Sequence, residues 1–195
     1  VEVWSNDGYK NGDFAGPVVG KAPEGRSTLL ASQDLNFKGS DATDGKQPSL
    51  TDEQRKERAT RGELTAALYA QAGTPEVKLP ETSPWPDVKT TDPNYAAYIW
   101  ARQKGITFGW SDGKFHAEAG VSNATVAAFT YRAAGSPAVT GTSSYKDVTP
   151  GSAFYREILW AQQNKVVLNA NGTFDAQHMV TKAELATLIA AYQAR

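Results

Sequence analysis

The feature that most constrains the fold is an internal repeat. Aligned residues share one spacing of 60 positions: Asp87 with Asp147, Tyr95 with Tyr155, and Trp100 with Trp160. One residue is then dropped, so that Gly113 aligns with Gly172 and Phe115 with Phe174 at a spacing of 59. A chain that repeats at this length builds similar supersecondary units, and each unit buries part of a core shared with its neighbours.

Each copy of the repeat predicts a helix, a loop and a second helix. The loop of the middle copy is GITFGWSDGKF, from Gly105 to Phe115, and a weaker copy, KVVLNANGTF, runs from Lys165 to Phe174. Its glycines and Asp-Gly pair indicate a tight turn. The predicted helices run from Asp92, an N-cap before Pro93, to about Lys104; from Ser122 to Gly135; from about Ser152 to Lys165; and from Thr181 to the C-terminus.

A first, divergent copy is clear only at its end. Residues 60–73 match residues 122–135, at a spacing of 62. Upstream, Leu30 and Gln33 align with Trp100 and Gln103 only if an insertion precedes Thr60. We therefore predict repeat one at 1–74, with an irregular arm at 1–25, repeat two at 84–136 and repeat three at 144–195. Residues 1–36 fit either a degenerate first unit or a remnant of a neighbouring domain.

The last helix of each copy carries one apolar face. These faces are Leu64, Leu68 and Gln71; Val126, Phe129 and Ala133; and Leu185, Leu188 and Tyr192. One unit is too small to stand alone, whereas three can share a core. The pattern predicts a mainly α protein, and it is compatible with either a closed pseudo-threefold body or an open solenoid.

Composition excludes several classes of function. The chain has no cysteine, which rules out disulfides, a thiol nucleophile and Cys-ligated metal. A net charge of −1 and the lack of a basic run argue against nucleic acid. No apolar run is long enough to cross a membrane. We find no cofactor motif, no metal spacing and no signal peptide at Val1. The missing initiator Met favours a mature or excised piece of a longer protein.

These residues resemble the S-layer homology family, the cell-wall anchoring repeats of bacteria. Repeat two carries the family's motif residues Trp85, Asp87-Val88, Tyr95, Ile99-Trp100, Gly105-Ile106, Gly109, Asp112-Gly113 and Phe115. Repeat three carries Tyr145, Asp147-Val148, Tyr155, Trp160, Asn171-Gly172, Phe174 and the helix start Thr181-Lys182-Ala183-Glu184. Repeat one carries the helix start Thr60-Arg61-Gly62-Glu63.

The resemblance implies a fold, a partner and a location. The fold would be a pseudo-threefold helical bundle with three projecting prongs. The partner would be an acidic, pyruvylated secondary cell-wall polysaccharide linked to peptidoglycan, bound non-covalently in grooves between prongs. The protein would be secreted and held at the bacterial cell wall, without a cofactor and without catalysis.

The helix starts supply the first candidate ligand residues. Thr60 with Glu63, and Thr181 with Glu184, form capping boxes, which account for these residues without a ligand. Arg61 and Lys182 place a cation beside the positive end of a helix, where free N–H groups, dipole and charge would together attract an anion. Arg61 is the stronger candidate, because Arg grips a carboxylate with two parallel hydrogen bonds.

The remaining candidates lie at the equivalent helix start and in the loop. Asn123 replaces the cation in repeat two and offers hydrogen bonds to a neutral sugar. Gly109 and Gly113 either shape the turn or present N–H groups to a ligand. Trp110 is either a core residue or a platform for a sugar face, and Asp112 is better explained as a turn residue.

Two alternatives to a glycan-binding module remain. The chain could be a protein-interaction module that self-associates in a bacterial surface layer, using exposed aromatic residues such as Trp110 and Tyr9. It could also be a glycosidase with paired carboxylates such as Asp112 and Glu118. Different acids in equivalent repeats argue against a single catalytic pair.

Overall fold

A computed structural model describes residue 53, residues 57–168 and residues 172–195. The predicted arm at 1–25, residues 26–52, residues 54–56 and the centre of the third loop at 169–171 lie outside the described residues. Five α-helices have their bounds within them: α1 Arg61–Gln71, α2 Tyr95–Gln103, α3 Asn123–Ala133, α4 Tyr155–Gln163 and α5 Lys182–Gln193. The described residues form isolated β-bridges but no strand, so the prediction of a mainly α protein is confirmed.

The ends of the predicted helices are confirmed where cap residues set them. Thr60, Ser122 and Thr181 are the N-caps of α1, α3 and α5, and each side chain accepts the N–H of the residue three positions on. Both predicted capping boxes form, because Glu63 and Glu184 accept the N–H of their cap residues at 2.8 Å. Gly73 and Gly135 follow α1 and α3 with φ of 80° and 87°, the left-handed backbone that ends a helix.

Two helices begin two or three residues later than predicted. Asp92 was predicted to cap α2, but its Oδ1 accepts the Asn94 N–H at 2.7 Å within a turn, and the helix starts at Tyr95. Ser152 was predicted to open α4, but its Oγ accepts the Thr149 N–H at 2.9 Å, and the helix starts after Phe154. In both cases the polar side chain accepts a backbone N–H within a short turn that precedes the helix, so it does not cap the helix.

The helices pair across the repeat boundaries. α1 packs against α2, α3 packs against α4, and α1 also touches α3 and α5. Equivalent ring contacts mark the two pairs, with Tyr69 and Trp100 at 5.6 Å and Tyr131 and Trp160 at 5.8 Å between centroids. The last helix of one repeat therefore shares its core with the first helix of the next.

A ring of three backbone hydrogen bonds lies at the centre of the fold. The Ala59 N–H donates to the Val180 carbonyl at 2.9 Å, Val180 to Val121 at 2.9 Å, and Val121 back to Ala59 at 3.1 Å. All three residues are buried, and each directly precedes an N-cap. The starts of α1, α3 and α5 are thus tied together, and α3 is buried along nearly its whole length.

Candidate functional site

Two of the predicted binding residues, Arg61 and Asn123, lie where a helix start meets the loop of the following repeat. At the start of α1, the Arg61 side chain passes into the core and is only 2% exposed. Its Nε donates to the Phe115 carbonyl at 2.9 Å, and a terminal nitrogen donates to Thr107 Oγ1. The guanidinium lies 5.1 Å from the Phe115 ring centroid and 4.9 Å from that of Phe129. Arg61 thus lies inside the fold, and its role in ligand binding stays a prediction.

The N–H groups at this helix start also have partners. Arg61 N–H donates to Ala119 O and Gly62 N–H to Ala117 O, both at 2.8 Å. The Glu63 N–H donates to the Thr60 side chain at 3.2 Å. The expectation of free amides at the start of α1 is therefore wrong, because they donate to carbonyls of the second loop, as the segment between α2 and α3 is called.

Asn123 repeats this arrangement at the start of α3. It is 6% exposed, and its Nδ2 donates to Phe174 O at 3.0 Å and Asp175 O at 3.1 Å. The Asn123 N–H donates to His178 O at 3.0 Å, and the Ala124 N–H to Ala176 O at 3.2 Å. Asn123 thus holds the third loop as Arg61 holds the second. The role of Asn123 in binding a sugar stays a prediction.

Lys182, at the same position of α5, differs from both. Its side chain is 51% exposed, and its Nζ lies 3.1 Å from Glu63 Oε1 of α1. An ion pair this exposed adds little stability, so its two partners separate readily. Among the three equivalent residues Arg61, Asn123 and Lys182, only Lys182 presents its polar end at the surface.

The cap of α5 carries an additional polar contact. His178 Nε2 lies 3.0 Å from both oxygens of the Glu184 carboxylate, which also accepts the Thr181 N–H and hydroxyl. Partial burial opposes ionisation of Glu184, but the hydrogen bonds from Thr181 and His178 outweigh it and lower the pKa of that carboxyl. The Thr181 side chain and N–H are therefore bonded within its capping box, as those of Thr60 are within the capping box of α1.

Two aspartates that sequence reasoning left without a role fix the loops. The Asp87 carboxylate accepts the N–H groups of Phe115 at 2.8 Å and His116 at 2.7 Å. Asp147 accepts those of Phe174 and Asp175, both at 2.8 Å. Asp87 and Asp147 occupy the same position in the repeat, and this equivalence is the sequence signal that could have identified their role. Each carboxylate anchors the loop to the segment before its own first helix.

Gly109 is required by close packing. It has φ of 96°, and a Cβ there would lie 2.3 Å from Trp85 Nε1 and 2.7 Å from Lys114 O. Its N–H donates to Thr107 Oγ1 at 3.3 Å. Gly109 therefore shapes the loop, and its amide already has a partner within that loop. Gly113, with φ of 81°, has open space around it, and its N–H donates to Trp110 O at 2.9 Å.

Trp110, Asp112 and His116 form a cluster at the surface of the second loop. The Trp110 ring stacks on the His116 ring with centroids 3.9 Å apart. His116 Nε2 lies 2.7 Å from Asp112 Oδ2, and the Lys114 N–H donates to Asp112 Oδ1 at 2.9 Å. Slight burial opposes ionisation, but the hydrogen bonds from Lys114 and His116 lower the pKa of Asp112. The cluster offers an aromatic ring beside a charged carboxylate.

The structure therefore divides the nine predicted residues. Trp110, Asp112 and Gly113 lie together on the second loop, and Lys182 is exposed at the start of α5. The other five hold the framework: Arg61, Asn123, Gly109, Thr60 and Thr181. Within the described part of the chain no group of His, Asp and Glu side chains is arranged to hold a metal ion, and no helix is long and apolar enough to cross a membrane.

Comparison with known protein families identifies one segment. Residues 144–186 match the family model of the S-layer homology domain. The match begins just before Tyr145 and ends in the second turn of α5, so it includes both loop-anchoring Asp147 and the Thr181 cap. A search of curated proteins found no match to the chain. The resemblance to this family is confirmed for repeat three.

Proposed function

We propose, from the S-layer homology domain at residues 144–186, that the chain is a non-catalytic module that anchors a protein to the bacterial cell wall. Domains of this family generally bind cell-wall polymers and act at the cell surface. This family match is the observation that carries the proposal. The protein acting there would be secreted, and its ligand would be an acidic secondary polysaccharide linked to peptidoglycan.

We propose that the module comprises three repeats, at 1–74, 84–136 and 144–195, arranged around a pseudo-threefold axis. The ring of hydrogen bonds that joins Ala59, Val121 and Val180 supports this arrangement, because equivalent residues of three segments make equivalent bonds. The matching contacts of Arg61 and Asn123 support it too.

Within this module we propose that ligand contacts come from the residues whose polar groups face outward. Lys182 would meet the acidic group, since a ligand carboxylate can replace Glu63 at its exposed ammonium. Trp110 would stack on a sugar face, and Asp112 with the Gly113 backbone would hydrogen-bond its hydroxyls. Arg61, Asn123, Gly109, Thr60 and Thr181 would act indirectly, by holding the loops and helix starts in place.

The test is binding of the purified chain to cell walls before and after removal of the secondary polysaccharide. We expect binding to intact walls and its loss on stripped walls. Lys182→Gln and Trp110→Ala should each weaken binding by about tenfold, the effect of losing one charged or one stacking contact. Lys89→Gln, which removes another exposed lysine, is the matched control and should leave binding unchanged.

Equal binding to stripped and intact walls would overturn the proposal. The alternative, self-association in a surface layer, would instead appear as a molecular mass that rises with protein concentration without affinity for the polysaccharide. Release of reducing ends from the wall polymer would indicate a glycosidase.

A further inference from the structure

A groove beside the first helix of repeat two is lined by none of the residues proposed above to bind ligand. It runs between the linker after α1 and the C-terminal end of α2, and it has a volume of about 450 Å³. Its lining includes Lys78, Leu79, Pro80, Arg102 and Phe108. The size falls within the range of about 300–1,000 Å³ usual for small-ligand sites.

The walls of the groove are fixed by hydrogen bonds. Gln103 Nε2 donates to Lys78 O at 3.2 Å, and Tyr95 Oη donates to Pro80 O at 3.3 Å, which hold the linker against α2. On the other side, Trp85 Nε1 donates to Phe108 O at 2.8 Å. The groove is thus preformed, so a ligand need not order it on binding.

Two features of the lining define the ligand's chemistry. Leu79 is 48% exposed and Phe108 38% exposed, and they are the two large apolar side chains most open to solvent among the described residues. Arg102 lies over the Phe108 and Trp85 rings, at 5.5 and 5.7 Å from their centroids. Neither Arg102 nor Lys78 is paired with a carboxylate of the described residues. An apolar ring face and an anionic group would therefore complement the groove.

A peptide strand suits this groove poorly. Strand addition needs free backbone N–H and C=O groups along an edge. Here the carbonyls of Lys78 and Pro80 already accept side-chain hydrogen bonds, and Pro80 and Pro84 have no N–H. A sugar ring needs no such edge, since its C–H face stacks on an aromatic ring while its substituents reach polar groups.

Repeat three lacks the groove's key residues. Gln162 stands in the place of Arg102, and Leu168 in that of Phe108. Gln162 Oε1 accepts hydrogen bonds from the Ser143 hydroxyl at 3.2 Å and the Ser144 N–H at 3.3 Å. The Gln162 side chain is thus hydrogen-bonded to the linker before its own helix. The residues of repeat three therefore supply substitutions that should remove ligand binding from the groove.

We propose that this groove is a second glycan site that takes one acidic sugar residue. The carboxylate lies at Arg102 and Lys78, and the apolar face of the ring lies on Phe108. The inference rests on the proposed function, because it assigns the sugar to the wall polysaccharide, but it uses none of the side chains assigned to ligand there.

The test follows the NMR signal of the Trp85 indole N–H in the full chain, assigned with a Trp85→Phe variant. The probes are methyl glucuronide and methyl glucoside, which differ in one carboxylate. We expect a saturable shift with the glucuronide and affinity about tenfold weaker for the neutral sugar. Arg102→Gln and Phe108→Leu, both copied from repeat three, should each lower glucuronide affinity by about tenfold, whereas Lys182→Gln should not.

Equal responses to both sugars, no saturable response, or unchanged affinity in both groove variants would overturn the inference. Wall binding by the same proteins separates this result from the proposed function. Wall binding without a Trp85 response leaves the anchoring module intact and removes the groove. A Trp85 response without wall binding keeps the groove as a sugar site and removes the anchoring role.

Discussion

At the scale of single residues, equivalent positions of the repeat hold cations in opposite environments. Arg61 is buried among the Phe115 and Phe129 rings, whereas Lys182 is half exposed and paired with Glu63. Arg suits burial because its weakly hydrated planar head can stack on rings and donate several hydrogen bonds. A cation after an N-cap therefore does not by itself define an anion site.

The two loop glycines allow a residue-scale prediction. Gly109→Ala should lower the free energy of unfolding by about 2–4 kcal/mol, because it adds left-handed strain and a clash with Trp85 and Lys114. Gly113→Ala, with the same backbone strain and no nearby atoms, should cost only about 1–2 kcal/mol. Urea unfolding of the two variants measures the difference, and equal losses would contradict the packing argument.

The Glu184 carboxyl gives a prediction about pH. Hydrogen bonds in the fold lower its pKa from the ordinary 4.5, so its contribution to stability is present above that pH and is lost as the pH falls below it. Glu184→Gln should thus be less stable than the natural chain at neutral pH, and the gap should close in acid. Urea unfolding across this range checks it, with the exposed Glu118→Gln as control. A gap that is constant with pH would refute the assignment.

At the scale of elements, the helix starts act as joints between repeats. The first amides of α1 and α3 donate to carbonyls of the following loop, and Arg61 and Asn123 donate to the carbonyls of Phe115 and Phe174. A helix start usually needs side chains, water or a ligand for these groups. Here the next repeat supplies them, which explains how one unit fixes the position of its neighbour.

This role predicts unequal effects at three equivalent positions. Arg61→Met should cost about 2–4 kcal/mol, because it leaves the Phe115 carbonyl without this donor and removes a cation stacked on two rings. Asn123→Ala should cost about 1–3 kcal/mol, because it leaves the Phe174 and Asp175 carbonyls without this donor. Lys182→Ala should change stability by no more than about 0.5 kcal/mol, as expected of an exposed side chain. Thermal or urea unfolding gives the order, and a large loss at Lys182 would contradict it.

At the scale of the whole molecule, the ring of Ala59, Val121 and Val180 connects residues that are far apart in sequence. Its hydrogen bonds are buried, so they break only when the three segments separate. We predict that the amide hydrogens of these residues exchange with solvent only through global unfolding, with one shared protection factor. Native-state hydrogen exchange tests this, with the amide of Gly141 in the exposed linker after α3 as the fast reference. Clearly different protection at the three amides would show that the repeats open independently.

Sequence reasoning succeeded wherever a local rule decides the structure. The capping boxes at Thr60 and Thr181, the stops at Gly73 and Gly135 and the apolar faces of α1, α3 and α5 all depend on residues a few positions apart. It was less accurate at Asp92 and Ser152, because a polar side chain near a helix can either cap it or close a preceding turn.

The candidate site depended on contacts that local rules do not contain. The sequence by itself determined that a helical repeat with Gly-rich loops exists, and that a cation follows the cap of α1 and α5. Only the tertiary structure decided that Arg61 and Asn123 face inward, that Asp87 holds the second loop, and that Trp110 and Lys182 remain at the surface. The reason is that helix starts present the same groups in every repeat, while the segment packed against each one determines whether protein or solvent receives them.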